Sequence, residues 1–190
     1  MLTLYDYFRS SACYRVRIAL NLKNLPYDVI PIHLLNNGGE QFSLDYKAVN
    51  PQSLVPALQD GDKVITQSLA IIEYLDELHP EPMLLSQDLY KKALIRAFSL
   101  VVAADMHPLN NLRVLQFLTK ELAIAEEQKT QWYSHWMAKG LEALEKQLML
   151  HNHSQPFCFG EAPSLADICL VPQLYNARRC LLYTSDAADE

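Results

Sequence analysis

Leu2-Thr3-Leu4-Tyr5-Asp6-Tyr7-Phe8-Arg9-Ser10-Ser11-Ala12-Cys13-Tyr14-Arg15-Val16-Arg17 opens the chain, and its reading decides the fold. Leu2 to Tyr5 alternate like a strand. From Ser11 to about Asn24 apolar residues (Val16, Ala19, Leu20) recur at helical spacing, stopping before Pro26. Asp28–Ile32 predicts a second strand, and Pro31 within it an edge position. Asn36-Asn37-Gly38-Gly39 leads into a short helical stretch near Glu40–Lys47. Val55–Gln59 and Lys63–Thr66 flank Asp60-Gly61-Asp62, a hairpin signal. Ser68 then starts a helix that has almost no polar face and stops at His79-Pro80. The order β-α-β-α-β-β-α is that of a thioredoxin-like unit over residues 1–79.

Residues 80–88 hold Pro80 and Pro82 and are expected to be a linker. Beyond them strand signals vanish. Helical patterns cover roughly residues 88–118, 124–151 and 164–179, with Pro108 expected to kink or break the first. Ser164-Leu165-Ala166-Asp167 has the form of a capping box. The expected fold is therefore α/β plus all-α, with an all-helical domain over 89–179. The last stretch, 180–190, loses helical periodicity and is expected to be a non-native tail on a shortened chain.

Composition narrows the function. The chain has 190 residues, half of them hydrophobic, which suffices for a packed core. A formal net charge of -6, with no long Lys/Arg block, argues against nucleic acid and anionic membrane surfaces. No apolar run approaches the ~20 residues of a membrane helix, and no N-terminal leader pattern is evident. Cys13, Cys158, Cys169 and Cys180 form no C-x-x-C pair, which favours a reducing cytoplasm. His151-x-His153 followed by Cys158 is the best metal-like cluster, but it lacks a convincing fourth ligand. Five glycines leave neither a G-x-G-x-x-G nor a P-loop. Trp132 and Trp136, at i and i+4, are expected to pack or face a partner helix.

Two polar pairs at helix starts, Ser10-Ser11 and Gln67-Ser68, would suit a small ligand carrying both a thiol and a carboxylate, as glutathione does. An ordinary thiol has a pKa of about 8.5, and lowering it by two units needs ~2.7 kcal/mol. A helix N-terminus contributes about 0.3–1 kcal/mol and a hydroxyl donating to the anion roughly 1.5–3 kcal/mol. Ser10 or Ser11 could supply that donor, with Arg15 and Arg17 adding positive potential. By spacing alone, plain capping is the commoner role for Ser10, and an equally open one for Gln67-Ser68. Cys13 invites a nucleophile reading, since thiols at helix N-termini are activated. Without a partner cysteine it is more often a small packed residue.

Taken together, Tyr7-Phe8-Arg9-Ser10-Ser11, Tyr14–Leu20, Asn50-Pro51, Val55-Pro56 and Gln67–Leu75 resemble the zeta-class glutathione transferases, the maleylacetoacetate isomerase family. The likeness continues through His107-Pro108-Leu109-Asn110-Asn111-Leu112 and Leu165–Gln173 to Asn176-Ala177-Arg178-Arg179. The resemblance implies glutathione in the first domain, a second substrate under the helical domain, a homodimer, and a cis Val55–Pro56 bond. It implies that Ser10 stabilises the thiolate, beside Ser11 and the backbone of Ala12, Cys13, Tyr14 and Arg15. Gln41 would approach the glycyl end, and Val55 would pair with the cysteinyl backbone. Gln67 and Ser68 would take the γ-glutamyl carboxylate. His107, Asn111, Leu112 and Arg113 would complete the site, with Arg15 and Arg179 suited to the substrate carboxylates.

The implied reaction is cis–trans isomerisation of 4-maleylacetoacetate to 4-fumarylacetoacetate in tyrosine and phenylalanine breakdown. Maleylpyruvate isomerisation, or transfer of glutathione to small electrophiles such as α-halo acids, is the alternative. A non-catalytic glutathione-binding module fits less well, because a pure binder needs no thiolate stabiliser. In one respect the sequence departs from the family: Ala12 follows the paired serines where a cysteine is common, and the thiol comes one residue later, at Cys13.

Overall fold

The computed structural model describes residues 1–151 and 154–179. It divides into two compact units, one spanning Met1–Leu84 and the other running from Leu85 onward.

The first unit is thioredoxin-like. Its four-stranded sheet has the order β2-β1-β3-β4, formed by β1 (Leu2–Asp6), β2 (Tyr27–Pro31), β3 (Ala57–Asp60) and β4 (Lys63–Thr66). β2 runs parallel to β1, while β3 is antiparallel to both β1 and β4. Pro31 lies on an edge strand, as its missing N–H requires. The β3–β4 turn falls at Gly61, whose φ of +61° suits a residue without a Cβ. Helices α1 (Ser11–Leu22) and α3 (Ser68–Leu78) pack against each other. Val16, Ala19 and Leu20 of the one and Ile71, Ile72 and Leu75 of the other are buried, with Leu4 and Leu58 of the sheet.

Helix α1 ends in a paired turn. Asn24, at φ 52°, lets its N–H reach the Asn21 carbonyl and that of Leu25 reach the Leu20 carbonyl. Lys23, buried at this end, donates from Nζ to Asp76 Oδ1 (2.7 Å), the His79 carbonyl (2.7 Å) and the Pro82 carbonyl (2.9 Å). Asp76 also accepts the Leu84 N–H. A single buried cation thus ties α1 to α3 and to the segment that leaves it.

The helix expected near Glu40–Lys47 is more broken than its pattern suggests. Two 3₁₀ turns, Asn36–Gly38 and Glu40–Phe42, precede a short α2 (Leu44–Val49). The Ser43 hydroxyl caps α2 by accepting the Tyr46 N–H. Positive φ at Asn37, Gly38 and Gly39 prevents one continuous helix.

In the second unit, the long helix expected over 88–118 is also a correction. Helix α4 (Leu89–Leu100) widens into a π turn (Val101–Met106), followed by α5 (His107–Leu109) and, after a break, α6 (Leu112–Lys120). The break lies at Asn110–Asn111 rather than at Pro108. Pro108 sits in the opening turn of α5, where a missing N–H is tolerated. Asn111 caps α6 by accepting the Arg113 N–H.

Long α7 (Glu126–His151) packs on the π turn, where the Met106 side chain leaves no room for a Cβ at Gly140. Helix α8 (Leu165–Ala177) begins with the expected capping box: Asp167 accepts from the Ser164 N–H and hydroxyl, each at 2.8 Å. Trp132 and Trp136 meet edge to face, and the Trp132 indole N–H donates to the Leu109 carbonyl. His153 of the metal-like cluster and the 180–190 tail lie outside the described residues. The His151 ring stacks on Phe159. No helix among the described residues is long and apolar enough to cross a membrane.

Candidate functional site

Strand β1 delivers the chain to the start of α1, where the Ser10 N–H donates to the Tyr7 carbonyl and the Ser10 carbonyl accepts the Tyr14 N–H. The Ser10 hydroxyl oxygen accepts the Cys13 N–H at 3.2 Å, so Ser10 does cap the helix. Capping and thiolate stabilisation turn out not to be rivals. A hydroxyl has one donor and two acceptor lone pairs, and the cap uses only a lone pair. The O–H remains a donor at the positive end of a helix, beside the Cys13 sulfur, with which the Ser10 side chain also hydrogen-bonds.

Ser11, Ala12 and Cys13 turn their side chains inward. Cys13 Sγ accepts the Tyr7 N–H at 3.5 Å, and burial, the largest cause, pushes its thiol pKa up to about 12. Such a group stays protonated at neutral pH, so the nucleophile reading of Cys13 falls; the thiol packs the β1–α1 turn. Tyr14 is half-buried. Arg15 is wholly interior, and its Nη1 donates to Ser68 Oγ at 3.1 Å. The starts of α1 and α3, more than fifty residues apart in sequence, are thereby joined by a buried guanidinium. Arg17 faces the other way and pairs with Asp6.

At the start of α3 the plain-capping alternative fails. Gln67 occupies the N-cap position but makes no side-chain cap bond. Its amide donates instead to Gln52 Oε1 at 2.9 Å. Gln67 also holds φ 71° and ψ 117°, a conformation that costs a non-glycine residue on the order of 1–3 kcal/mol. An uncapped helix start beside a buried cation is suited to a carboxylate.

Val55–Pro56 is cis, as the resemblance implies. The residue before Val55 is clamped, because Tyr46 Oη and Asn50 Nδ2 both donate to the Leu54 carbonyl at 2.7 Å. Asn50 Oδ1 accepts the Gln52 N–H. Sequence reasoning did not single out Gln52, which follows directly on the Asn50-Pro51 pair quoted for the resemblance. Gln41 is buried, its Nε2 donates to the Leu34 carbonyl at 3.4 Å, and its Oε1 has no hydrogen-bond partner among the described residues.

In the second unit His107, Asn111, Leu112 and Arg113 come together across the α5–α6 break. Asn111 Oδ1 is committed to the Arg113 N–H, which turns Nδ2 toward His107 Nε2 at 3.3 Å. Arg179 stands exposed just beyond α8.

The chain is 49% identical to a probable maleylacetoacetate isomerase of Vibrio cholerae, over 94% of this chain and 82% of that one. The chain belongs to the zeta-class glutathione S-transferases. Family models described as the glutathione S-transferase N-terminal and C-terminal domains match residues 4–83 and 126–189. Among solved structures, the holo form of a bacterial zeta-class maleylpyruvate isomerase is 42% identical. It superposes with a TM-score of 0.90 over 94% of this chain and 83% of that one. A maleylacetoacetate isomerase of Anaeromyxobacter dehalogenans with glutathione bound is 41% identical, with a TM-score of 0.81 over 95% and 82% of the two chains.

Proposed function

We propose that this protein isomerises 4-maleylacetoacetate to 4-fumarylacetoacetate with glutathione as cofactor. One observation carries the reading: two helix starts, one bearing a serine hydroxyl and one left uncapped, are tied together by buried Arg15. That arrangement matches a ligand with a thiol at one end and a carboxylate at the other. When bound, glutathione would supply a thiolate able to add reversibly to the conjugated alkene and so free the former double bond to turn.

The protein's own work is electrostatic and geometric. Ser10 directs its O–H, and α1 its positive end, at the sulfur. The uncapped start of α3, with Gln67 and Ser68, takes the γ-glutamyl carboxylate, while Val55 pairs with the peptide backbone and Gln41 meets the glycyl end. Ser11 and the backbone of Ala12, Cys13 and Tyr14 line the sulfur side; the Cys13 thiol takes no part. Arg15 serves by holding Ser68 and by its positive field. Exposed Arg179 takes a substrate carboxylate, and His107, Asn111, Leu112 and Arg113 contribute from the helical unit. The functional units are those of residues 1–79 and 89–179, acting in a cytoplasmic homodimer. Cys13 and Cys158, buried thiols outside any disulfide, are consistent with a reducing compartment.

Maleylpyruvate is the second substrate to consider, because a relative of that activity superposes so closely. Ser10→Ala tests the core of the reading. It should abolish most turnover and raise the pKa of bound glutathione, read from the ultraviolet absorbance of the thiolate, with glutathione affinity largely kept. Wild-type turnover in that variant would reject the role given to Ser10. Assaying both substrates with and without glutathione decides between them.

A further inference from the structure

The segment that carries Gln41 is held by a histidine. His33 Nδ1 accepts two backbone N–H groups, that of Leu35 at 3.2 Å and that of Asn36 at 3.0 Å. Backbone amides only donate, so Nδ1 carries a lone pair and the ring is neutral, with its proton on Nε2. The same residue closes the segment from its main chain: the His33 N–H donates to Glu40 Oε2 at 2.6 Å, and its carbonyl accepts the Glu40 N–H at 2.9 Å. Gln41 follows directly. Its amide donates to the Leu34 carbonyl inside the turn and lies against Gly39, at φ +108°, where a Cβ would come within 2.7 Å of the Gln41 side chain. The far side of the imidazole packs edge-on to Tyr7, 5.1 Å between ring centres, and near Phe8, just before Ser10.

We propose that His33 is a positioning residue for Gln41: its neutral imidazole folds the 33–42 segment, and taking up a proton at Nδ1 releases it and weakens ligand binding there. This rests on the reading that Gln41 contacts glutathione. Protonated Nδ1 is a donor facing two donors, so both turn bonds are lost together. The titratable and charged groups around the ring are Glu40 on its own segment and Tyr7 on the β1–α1 turn. Beyond Phe8 lie the Asp6–Arg17 pair and Arg9. The His33→Asn variant keeps Glu40 and its hydrogen bond to the residue-33 N–H, and so separates Glu40 from the effect.

The probe is S-methylglutathione, which has no thiol and so none of the pH dependence of thiolate formation. Calorimetric affinities should fall roughly five- to ten-fold in the wild type on acidification from about pH 7.5 to 5.5, the scale of two lost hydrogen bonds. In His33→Asn the amide Oδ1 occupies the position of Nδ1 and can accept the same two N–H groups, as in an Asx turn. That variant should keep the neutral-pH affinity and show a flat profile. His33→Phe, which keeps the ring but not the acceptor, should bind weakly at every pH.

A flat wild-type profile, or a His33→Asn profile as steep as the wild type, overturns the proposal. Two further readouts separate its failure from that of the reading beneath it. Gln41→Ala binding as tightly as wild type would reject the glutathione contact and the binding claim with it. Hydrogen exchange at Leu35 and Asn36 in ligand-free protein should quicken on acidification in wild type relative to His33→Asn, and equal exchange in the two would refute the turn-holding role alone.

Discussion

Gln67→Gly should make the protein more stable and a worse binder of glutathione. The backbone at Gln67, φ 71° and ψ 117°, is open to glycine and costs any other residue on the order of 1–3 kcal/mol. Against that gain stand the exposed Gln67–Gln52 hydrogen bond, about 0.5 kcal/mol, and the greater freedom of glycine in the unfolded chain, about 0.5–1 kcal/mol. The balance is about +1 kcal/mol, a rise of ~2–4 °C in Tm for a chain of this size. Loss of the amide contact to a carboxylate, about 1.5 kcal/mol, should weaken glutathione roughly ten-fold. Gln67→Ala is the control: it removes the same side chain but keeps the strained φ, so affinity should fall as far without any gain in Tm. Calorimetric melting and titration on the same preparations read both quantities. A lower Tm in Gln67→Gly than in Gln67→Ala, or unaltered glutathione affinity, would refute the view that strain here is retained for binding.

Two other predictions concern buried groups. Lys23→Met leaves Asp76 without its buried cation and should cost about 3–5 kcal/mol in urea denaturation; a loss below ~1 kcal/mol would mean the three-way anchor of Lys23 contributes nothing. Cys13 should resist thiol reagents until the protein unfolds, because burial holds its pKa near 12. A folded-state pKa raised from 9.0 means the stabilisation is whole below about pH 9 and is lost as pH rises toward 12. Cys13 should therefore contribute a decline of up to ~1.4 kcal/mol per pH unit in that window. In Cys13→Ala the total decline should lessen by that share, with Cys158 and Tyr46, whose pKa values burial also raises, supplying the rest. An equally steep alkaline loss in that variant would assign the effect elsewhere.

Much of the fold was legible because its signals are local. The alternation of Leu2 to Tyr5, the Asp60-Gly61-Asp62 hairpin, the edge proline Pro31 and the Ser164–Asp167 box each act within a few residues, where sequence spacing is spatial spacing. The polar helix starts at Ser10 and Ser68 were legible for the same reason. The helix break was misplaced at Pro108 because a proline is costly only where an N–H is needed, and the π turn before it shifted that requirement.

What residue types and their order determined alone was which chemistry was possible: a hydroxyl at one helix mouth, an amide and a hydroxyl at another, cations nearby. Which of those groups were already engaged was decided only when distant segments met. Packing turned Arg15 inward to Ser68, buried the Cys13 thiol against Ser10 and drew the Gln67 amide to Gln52. The physical reason is that a hydrogen bond or a charge acts over a few ångströms. Its partner is chosen by the folded chain, whatever the separation in sequence.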